Sequence, residues 1–296
     1  MTLDDLWEQF LYHLKVRRRS PATMQYYRHT QSHFRKFIGE IGVEVLPDIT
    51  TTHLRAFLLR LEERGLAPGS VHAHGRALKA LFNWAFAEEL IERNPAKRLS
   101  LPSLPRERQP TVVPEGFKRL LLASKASEQP LRDTAIILTL FDTGIRLQEL
   151  IELDTEDLRF DRGLLRVMGK GAKERFVPIG VKAMQAITAY IRRERKPSHL
   201  GVHSVFLSRT GMKLTKSGVG IRLAKLGKDK GIAREDCAPH AFRRGFAVEF
   251  LRNGGNVFTL QQLMGHTSLD MTRRYVSFLD DDLKEAHLRF SPVDNL

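Results

Sequence analysis

The sequence has little cysteine and no long apolar run, and each shortage excludes a class of protein. Cys237 is the single cysteine among 296 residues, so no disulfide can form within the chain and no cysteine-based zinc site can be built. A lone cysteine fits a reducing compartment. No apolar segment approaches the ~20 residues that span a bilayer, and residues 1–10 lack the apolar core of a signal peptide. The sequence therefore predicts a soluble, cytoplasmic protein with no membrane partner.

Acidic residues are also in short supply. The chain holds 34 Asp and Glu against 48 Lys and Arg, a formal net charge of +14. Basicity of this size favours a polyanionic partner, and nucleic acid is the commonest one. The alternative is a solvated basic surface with no particular ligand. The sequence shows no pattern of Asp, Glu and His with metal-ligand spacing, so neither a metal nor a cofactor is predicted.

The length favours two domains, and the patterning shows where they divide. Residues 1–100 carry apolar side chains at helical spacing in four segments, with Ser20 and Pro21 as the cap and first residue of the second. This predicts a four-helix domain. Residues 101–113 are rich in proline and predict a linker of restricted flexibility. Arg106 and Arg108 within it are candidates to lie along a phosphate backbone, although a solvated linker is the simpler interpretation.

Residues 114–296 predict a mixed domain. Segments 157–161, 164–168 and 175–179 alternate or run apolar with β-branched members, and glycine-containing turns separate them. They predict a small three-stranded antiparallel sheet among helices. The fold class is therefore mainly α with a small antiparallel sheet.

Two segments place basic side chains beside glycine. Arg146 follows a glycine at the end of an apolar helix, and Glu149 lies three residues on, where it could brace the guanidinium. An exposed ion pair is the plainer alternative. Lys170 lies between two glycines at the tip of the predicted hairpin, where it could act as an acid or contact phosphate. A lysine in an exposed turn is commoner. Lys173 and Arg175 add positive charge and are candidate DNA contacts.

Three further groups stand in the last sixty residues. His240 and Arg243 share a face at the start of a helix, where main-chain amides also favour an anion. A capping histidine is the alternative. His266 follows a glycine that ends the next helix. Tyr275 lies nine residues later on another helix, where an arbitrary tyrosine would be half-buried core.

Taken in order, these motifs closely resemble the tyrosine recombinases of the Xer and phage-integrase type, over nearly the whole chain. The resemblance assigns Arg146 and Arg243 as catalytic arginines and Lys170 as the hairpin lysine and general acid. It assigns His240 and His266 to the two histidine positions and Tyr275 as nucleophile. Arg244, a candidate DNA contact, stands where many relatives have histidine. Val276-Ser277 also departs from the frequent small residue followed by histidine.

The resemblance implies a two-domain clamp on duplex DNA, with a core-binding domain and an α+β catalytic domain. It implies cleavage through a 3′-phosphotyrosine and strand exchange through a Holliday junction, without metal or ATP. It further implies a homo- or hetero-tetramer on DNA, with the predicted helix at 280–290 docking into a neighbouring protomer or packing on its own domain. The sequence does not reveal whether an accessory protein takes part.

Three other interpretations remain. A catalytically silent DNA-binding regulator would not require Tyr275. A type IB topoisomerase-like enzyme shares the nucleophile but relaxes supercoils. A helical scaffold for protein partners leaves the charge and the ordered motifs unexplained. Within recombination, the sequence does not separate chromosome-dimer resolution from integration or excision of a mobile element.

Overall fold

The chain divides into two compact units, Met1–Glu107 and Arg108–Leu296, each with a hydrophobic core of its own. The structure is a computed structural model, and it describes residues 1–103, 110–169, 174–266, 268–276, 287, 291 and 293–294. Among the residues so described, no helix is long and apolar enough to cross a membrane.

Four helices form the first unit: α1 (Leu3–Val16), α2 (Pro21–Glu40), α3 (Thr51–Glu63) and α4 (Pro68–Ala87). Their inward faces bury large apolar side chains at helical spacing, among them Leu6, Trp7, Phe10, Phe34, Phe57, Leu81 and Phe82. Burial of each such side chain contributes about 1.5–3 kcal/mol, which outweighs the weak intrinsic preference of single helices. The predicted helical unit is confirmed.

Local chemistry sets where these helices begin. The Ser20 hydroxyl accepts the Thr23 N–H at 3.2 Å, and Pro21 occupies the first helical position, as predicted. The fourth helix begins at Pro68, and Ala67 precedes it without a side-chain cap, because the fixed φ of proline starts the first turn unaided.

The second unit contains eight helices within the described residues. They are α5 (Pro114–Lys125), α6 (Pro130–Thr143), α7 (Leu147–Glu152), α8 (Val181–Arg193), α9 (Lys216–Lys228), α10 (Pro239–Arg252), α11 (Val257–Met264) and α12 (Leu269–Val276). Helix α6 is central, because α5, α8 and α10 all pack against it. Its buried Ile136, Ile137 and Leu140 lie in the core of the unit.

A three-stranded antiparallel sheet lies between α7 and α8, in the order β1 (Leu158–Arg159), β2 (Leu164–Met168) and β3 (Glu174–Pro178). Leu165 pairs with Val177 across β2 and β3, and both side chains face the core. The predicted sheet is confirmed, but the first strand is shorter than predicted. Asp157 belongs instead to a 3-10 turn, where its carboxylate accepts the Asp154 N–H and the Arg166 Nε–H.

A buried ion cluster that was not predicted from the sequence anchors the start of α6. The Asp133 carboxylate, 0% exposed, accepts bonds from Arg132 Nη2 at 2.9 Å, Arg222 Nε at 2.6 Å and Ser127 Oγ at 2.7 Å. Arg132 also donates through Nη1 to the carbonyl of Leu207 at 3.0 Å. These contacts tie α6 to α9 and to the chain that follows α8. Two cations around one carboxylate offset the cost of burying it.

Candidate active site

Two glycines in the left-handed conformation end the helices on which the site depends. Gly144 ends α6 with φ 59°, and Gly265 ends α11 with φ 60°. Any side chain at Gly144 would also collide with the ring of Phe246. Glycine adopts positive φ without steric cost, so the chain turns sharply at both points. These turns place Arg146 directly after α6 and His266 directly after α11.

Arg243, on α10, connects the two turns through hydrogen bonds. It is 6% exposed and donates through Nη1 to the carbonyl of Gly144 and through Nη2 to that of Met264, the latter at 2.6 Å. Burial, and next the charge of Arg146, lower the pKa of Arg243 to about 10. The guanidinium therefore still carries its charge at neutral pH. Its five N–H bonds let it hold main-chain and phosphate oxygens at once.

Arg146 is held beside Arg243 by a buried carboxylate. Its backbone N–H donates to Glu149 Oε2 at 2.8 Å and its Nη1 to Oε1 at 3.0 Å, while Nη2 reaches the carbonyl of Gly265 at 3.4 Å. Glu149 is only 3% exposed, so this is not the exposed ion pair of the plainer interpretation. Arg146 itself stays one-third exposed and faces the open side of the site.

Arg175, at the start of β3, makes a bidentate pair with the same carboxylate, at 2.7 and 2.8 Å. Burial raises the pKa of Glu149, but hydrogen bonds from Arg175 and Arg146 outweigh it and lower that pKa overall. The carboxylate is therefore ionised at neutral pH. Arg175 lies on β3, which follows the predicted lysine hairpin in the chain. Because Glu149 bonds to both arginines, it connects β3 to Arg146. The predicted DNA contact of Arg175 stays a prediction, with both terminal nitrogens already bonded to Glu149.

Replacing Glu149 by glutamine is expected to lower the free energy of unfolding of the second unit by about 3 kcal/mol, because two guanidiniums lose a buried partner. The loss should be full at neutral pH and should shrink as pH falls below 4.5, the ordinary value of the carboxyl, since protonation weakens the wild-type pair as well. Urea unfolding followed by circular dichroism, with hydrogen exchange assigning the transition to the second unit, measures both.

The control for this variant is Glu115→Gln, which removes an exposed carboxylate 3.5 Å from Lys118. Exposed pairs contribute little, so its unfolding should match that of the wild type. Equal losses in the two variants would contradict the bracing role of Glu149.

His266 lies between Arg243 and α12. Its Nε2 is 3.2 Å from Arg243 Nη2, and its Nδ1 is 2.9 Å from the hydroxyl of Thr272, a fully buried residue. Burial first, and then the charges of Arg243, Arg146 and Arg175, lower the pKa of His266 to about 4. The imidazole is therefore neutral at physiological pH.

Tyr275 lies on α12, one turn beyond Thr272. Its ring stacks on that of His266, with the centroids 6.2 Å apart and the planes inclined by 15°. The same ring packs against the small apolar cluster of Ala247, Leu260 and Met264. The phenol is also close enough to influence the pKa values of both Arg243 and Arg244. The nucleophile predicted from the sequence thus lies beside the predicted arginine and histidine.

His240 and Arg244 flank this group on α10. His240 is exposed, and partial desolvation, followed by the charges of Arg244, Arg243 and Arg146, lowers its pKa. A neutral imidazole is able to accept a proton. Arg244 Nε donates to the carbonyl of Pro110, and burial is the main reason that its pKa is lowered. Its predicted DNA contact stays a prediction.

Several predicted residues lie outside the described part of the chain: Lys170, Lys173, Arg106, Arg108 and nearly all of the predicted helix at 280–290. The structure thus brings together Arg146, His240, Arg243, His266 and Tyr275, and Lys170 stays a prediction. Thr272 was not predicted from the sequence. Its position one helical turn before Tyr275, on the same face, was the available signal.

The arrangement can bind and activate a phosphodiester. Two guanidiniums offer donors around one point, with the imidazole of His266 beside them, which suits the charge that builds on non-bridging oxygens during attack. A phenol lies at the edge of the same point. Among the described residues, no group of three or more His, Cys, Asp or Glu side chains is arranged to hold a metal ion.

Comparison with known proteins gives matches over both units. A family model described as "Phage integrase family" matches residues 111–281, and one described as "Phage integrase, N-terminal SAM-like domain" matches residues 7–89. Tyrosine recombinase XerC of Salmonella typhi is 32% identical over 268 residues, which are 90% of this chain and 89% of the relative. Tyrosine recombinase XerC of Pelotomaculum thermopropionicum is 31% identical over 301 residues, covering 96% and 97% of the two chains.

Among solved structures, the Tn1549 transposon integrase in complex with a circular intermediate DNA superposes with a TM-score of 0.79. The match covers 93% of this chain and 94% of the other at 22% sequence identity. A sequence identity of 22% supports a shared fold alone. Because the match covers 93% of this chain, the shared fold includes both units.

Proposed function

This chain belongs to the phage integrase family and is a site-specific tyrosine recombinase, and we propose that it cuts duplex DNA by attack of Tyr275 on phosphorus. The products are a 3′-phosphotyrosyl bond and a free 5′ hydroxyl. Attack by the 5′ hydroxyl of another strand restores the phosphodiester. The covalent bond conserves the energy of the broken linkage, so neither a metal nor a nucleotide is required.

The observation that carries this proposal is the convergence of Arg146, Arg243 and His266 beside the ring of Tyr275. A free phenol holds its proton at neutral pH and is a weak nucleophile. Fixed positive charge at the site stabilises the transition state of the attack. Each preorganised donor is worth on the order of 3 kcal/mol in reactions of this kind.

Two proton transfers complete the step. His240 accepts the phenolic proton, a role for which its ring is available because partial desolvation lowers its pKa and keeps it neutral. The departing 5′ oxygen would be a poor alkoxide and takes a proton, for which we assign Lys170. In the resealing step the same two groups exchange roles.

The partner is double-stranded DNA. The formal net charge of +14 supports this, and the Tn1549 integrase, which shares the fold, was solved with DNA bound. Arg106, Arg108, Lys173 and Arg244 are the proposed contacts to the backbone. Strand exchange between two duplexes requires four protomers, with residues 280–290 as the proposed connection between neighbours. Because its XerC relatives are recombinases, whose substrate is DNA, we propose that the protein acts in the cytoplasm.

The 31–32% identity to XerC relatives over nearly the full length favours Xer-like chromosome-dimer resolution as the first candidate. The structural likeness to a transposon integrase leaves integration or excision as the second candidate. Selection of bound sequences from random duplexes identifies the DNA site, and the position of that site in the genome decides between the two candidates. A site present once per chromosome supports resolution. A site at the ends of a mobile element supports integration or excision.

A nicked duplex carrying the selected site tests the chemistry. The nick lies a few nucleotides from the cleavage point, so that the short fragment diffuses away and religation is prevented. We expect an adduct that survives SDS, in equal yield with EDTA and without nucleotide. After digestion of the adduct with trypsin, the DNA should be attached to peptide 275–284, whose single tyrosine is Tyr275.

The alternatives predict different outcomes in the same experiment. DNA binding without an adduct would support the silent regulator. An adduct together with relaxation of supercoils, but no exchange between two sites, would support the topoisomerase-like enzyme.

A further inference from the structure

The hydroxyl of Thr272 lies beside the catalytic cluster but takes no part in the reaction described above. The residue is fully buried on α12, and its Oγ1 is 2.9 Å from His266 Nδ1. Burying a hydroxyl costs free energy unless it has a hydrogen-bond partner, and here the partner is an imidazole of the site.

The contact on the other side of the ring fixes the direction of this hydrogen bond. His266 Nε2 lies 3.2 Å from Arg243 Nη2, and a guanidinium only donates. Nε2 is therefore the acceptor, and in a neutral ring the proton is on Nδ1. It follows that Nδ1–H donates to the Thr272 oxygen in the DNA-free protein.

The reaction requires the opposite arrangement. When a phosphate occupies the site, Arg243 bonds to its oxygens, and His266 can help only by donating Nε2–H. In the free protein the ring does not carry both protons at neutral pH, because burial and the surrounding arginines lower the pKa of His266 to about 4. A ring that stays neutral when phosphate binds must then carry its one proton on the other nitrogen.

We propose that Thr272 is a positioning residue that allows His266 to change tautomer when DNA binds. In the free protein its oxygen accepts from Nδ1–H. With phosphate bound, its hydroxyl turns and donates to Nδ1, while Nε2–H donates to a non-bridging oxygen. One proton leaves Nδ1 for water and one reaches Nε2 from water, so the ring stays neutral. The inference rests on the proposed function, since it names the phosphate that His266 serves.

A hydroxyl suits this position better than other partners do. A carboxylate or carbonyl only accepts and would hold the proton on Nδ1, which leaves Nε2 unable to donate. A main-chain N–H only donates and would fix the other tautomer. A hydroxyl does both by rotation about one bond. Partners that orient an imidazole from behind typically change activity 10- to 100-fold when removed from metal-binding histidines, and we expect a similar scale here.

The test compares Thr272→Val, which keeps the shape, with Thr272→Ser, which keeps the hydroxyl. Single-turnover cleavage of the nicked duplex should fall about 10- to 100-fold in Thr272→Val and stay within about threefold of the wild type in Thr272→Ser. The matched control is Thr139→Val. Thr139 is equally buried but donates to the carbonyl of Ala135, and its loss should leave cleavage unchanged.

Nitrogen NMR of histidine gives a readout that packing alone would not change. His266 should carry its proton on Nδ1 in the free protein and on Nε2 in a complex of Tyr275→Phe with uncut DNA. The resonance is assigned by its loss in His266→Gln.

Two results would overturn the inference: cleavage by Thr272→Val at the wild-type rate, or equal defects in Thr272→Val and Thr272→Ser. A proton that stays on Nδ1 in the DNA complex would do the same. These three results can be distinguished from failure of the proposed function. If the proposed function were wrong, the wild-type protein itself would form no adduct with DNA.

Discussion

Tyr275→Phe is expected to eliminate the covalent adduct, with a loss of at least about 10⁴-fold in the rate of strand cleavage. The substitution removes one oxygen and keeps the ring, so stacking on His266 and packing against Met264 persist. DNA affinity should therefore stay within about twofold of the wild type. The measurement is the single-turnover yield of the SDS-resistant band on the nicked duplex, beside a binding titration.

The control is Tyr12→Phe, which removes a phenolic oxygen from a residue that is 70% exposed in the first unit. It should form adduct at the wild-type rate. An adduct of normal yield in Tyr275→Phe would mean that another residue attacks phosphorus, and the assignment of the nucleophile would be wrong.

Local signals in the sequence were sufficient for most of the fold. Apolar side chains at helical spacing, with Ser20 and Pro21 at one boundary, located the helices to within a few residues because those boundaries are fixed by neighbours in the chain. The extent of β1 was wrong for a different reason. Arg166, on the next strand, bonds to Asp157 and holds it in a turn, a contact that alternation of side chains does not reveal.

The site was predicted less evenly. Tyr275, Arg243 and Arg146 were identified because their order along the chain matches a family, not because spacing shows that they meet. Arg146 bonds to the carbonyl of Gly265, 119 positions away, and such a contact depends on the packing of the whole second unit. The sequence could suggest that Glu149 braces Arg146, but not that Arg175 shares the same carboxylate.

Arg243→Ala is expected to lower the cleavage rate by at least about 10³-fold, because removal of a donor to a developing oxyanion typically costs 10²–10³ and this side chain supplies more than one. Arg243→Lys keeps the charge, but a single ammonium cannot hold the carbonyls of Gly144 and Met264 together with a phosphate. We expect a loss of about 10²-fold for the lysine variant. Both losses should appear in cleavage of bound DNA, with binding reduced far less.

A buried arginine also supports the fold, so the control has to separate catalysis from stability. Arg132 is, like Arg243, 6% exposed, and it also donates to a main-chain carbonyl, that of Leu207. Arg132→Lys should destabilise the second unit yet cleave within about threefold of the wild type well below its unfolding temperature. If Arg132→Lys and Arg243→Lys lost cleavage equally under those conditions, Arg243 would act through the fold alone. A loss confined to Arg243 means that its guanidinium acts within the site, on the phosphate and on the turns that carry Arg146 and His266, and not through the stability of the fold.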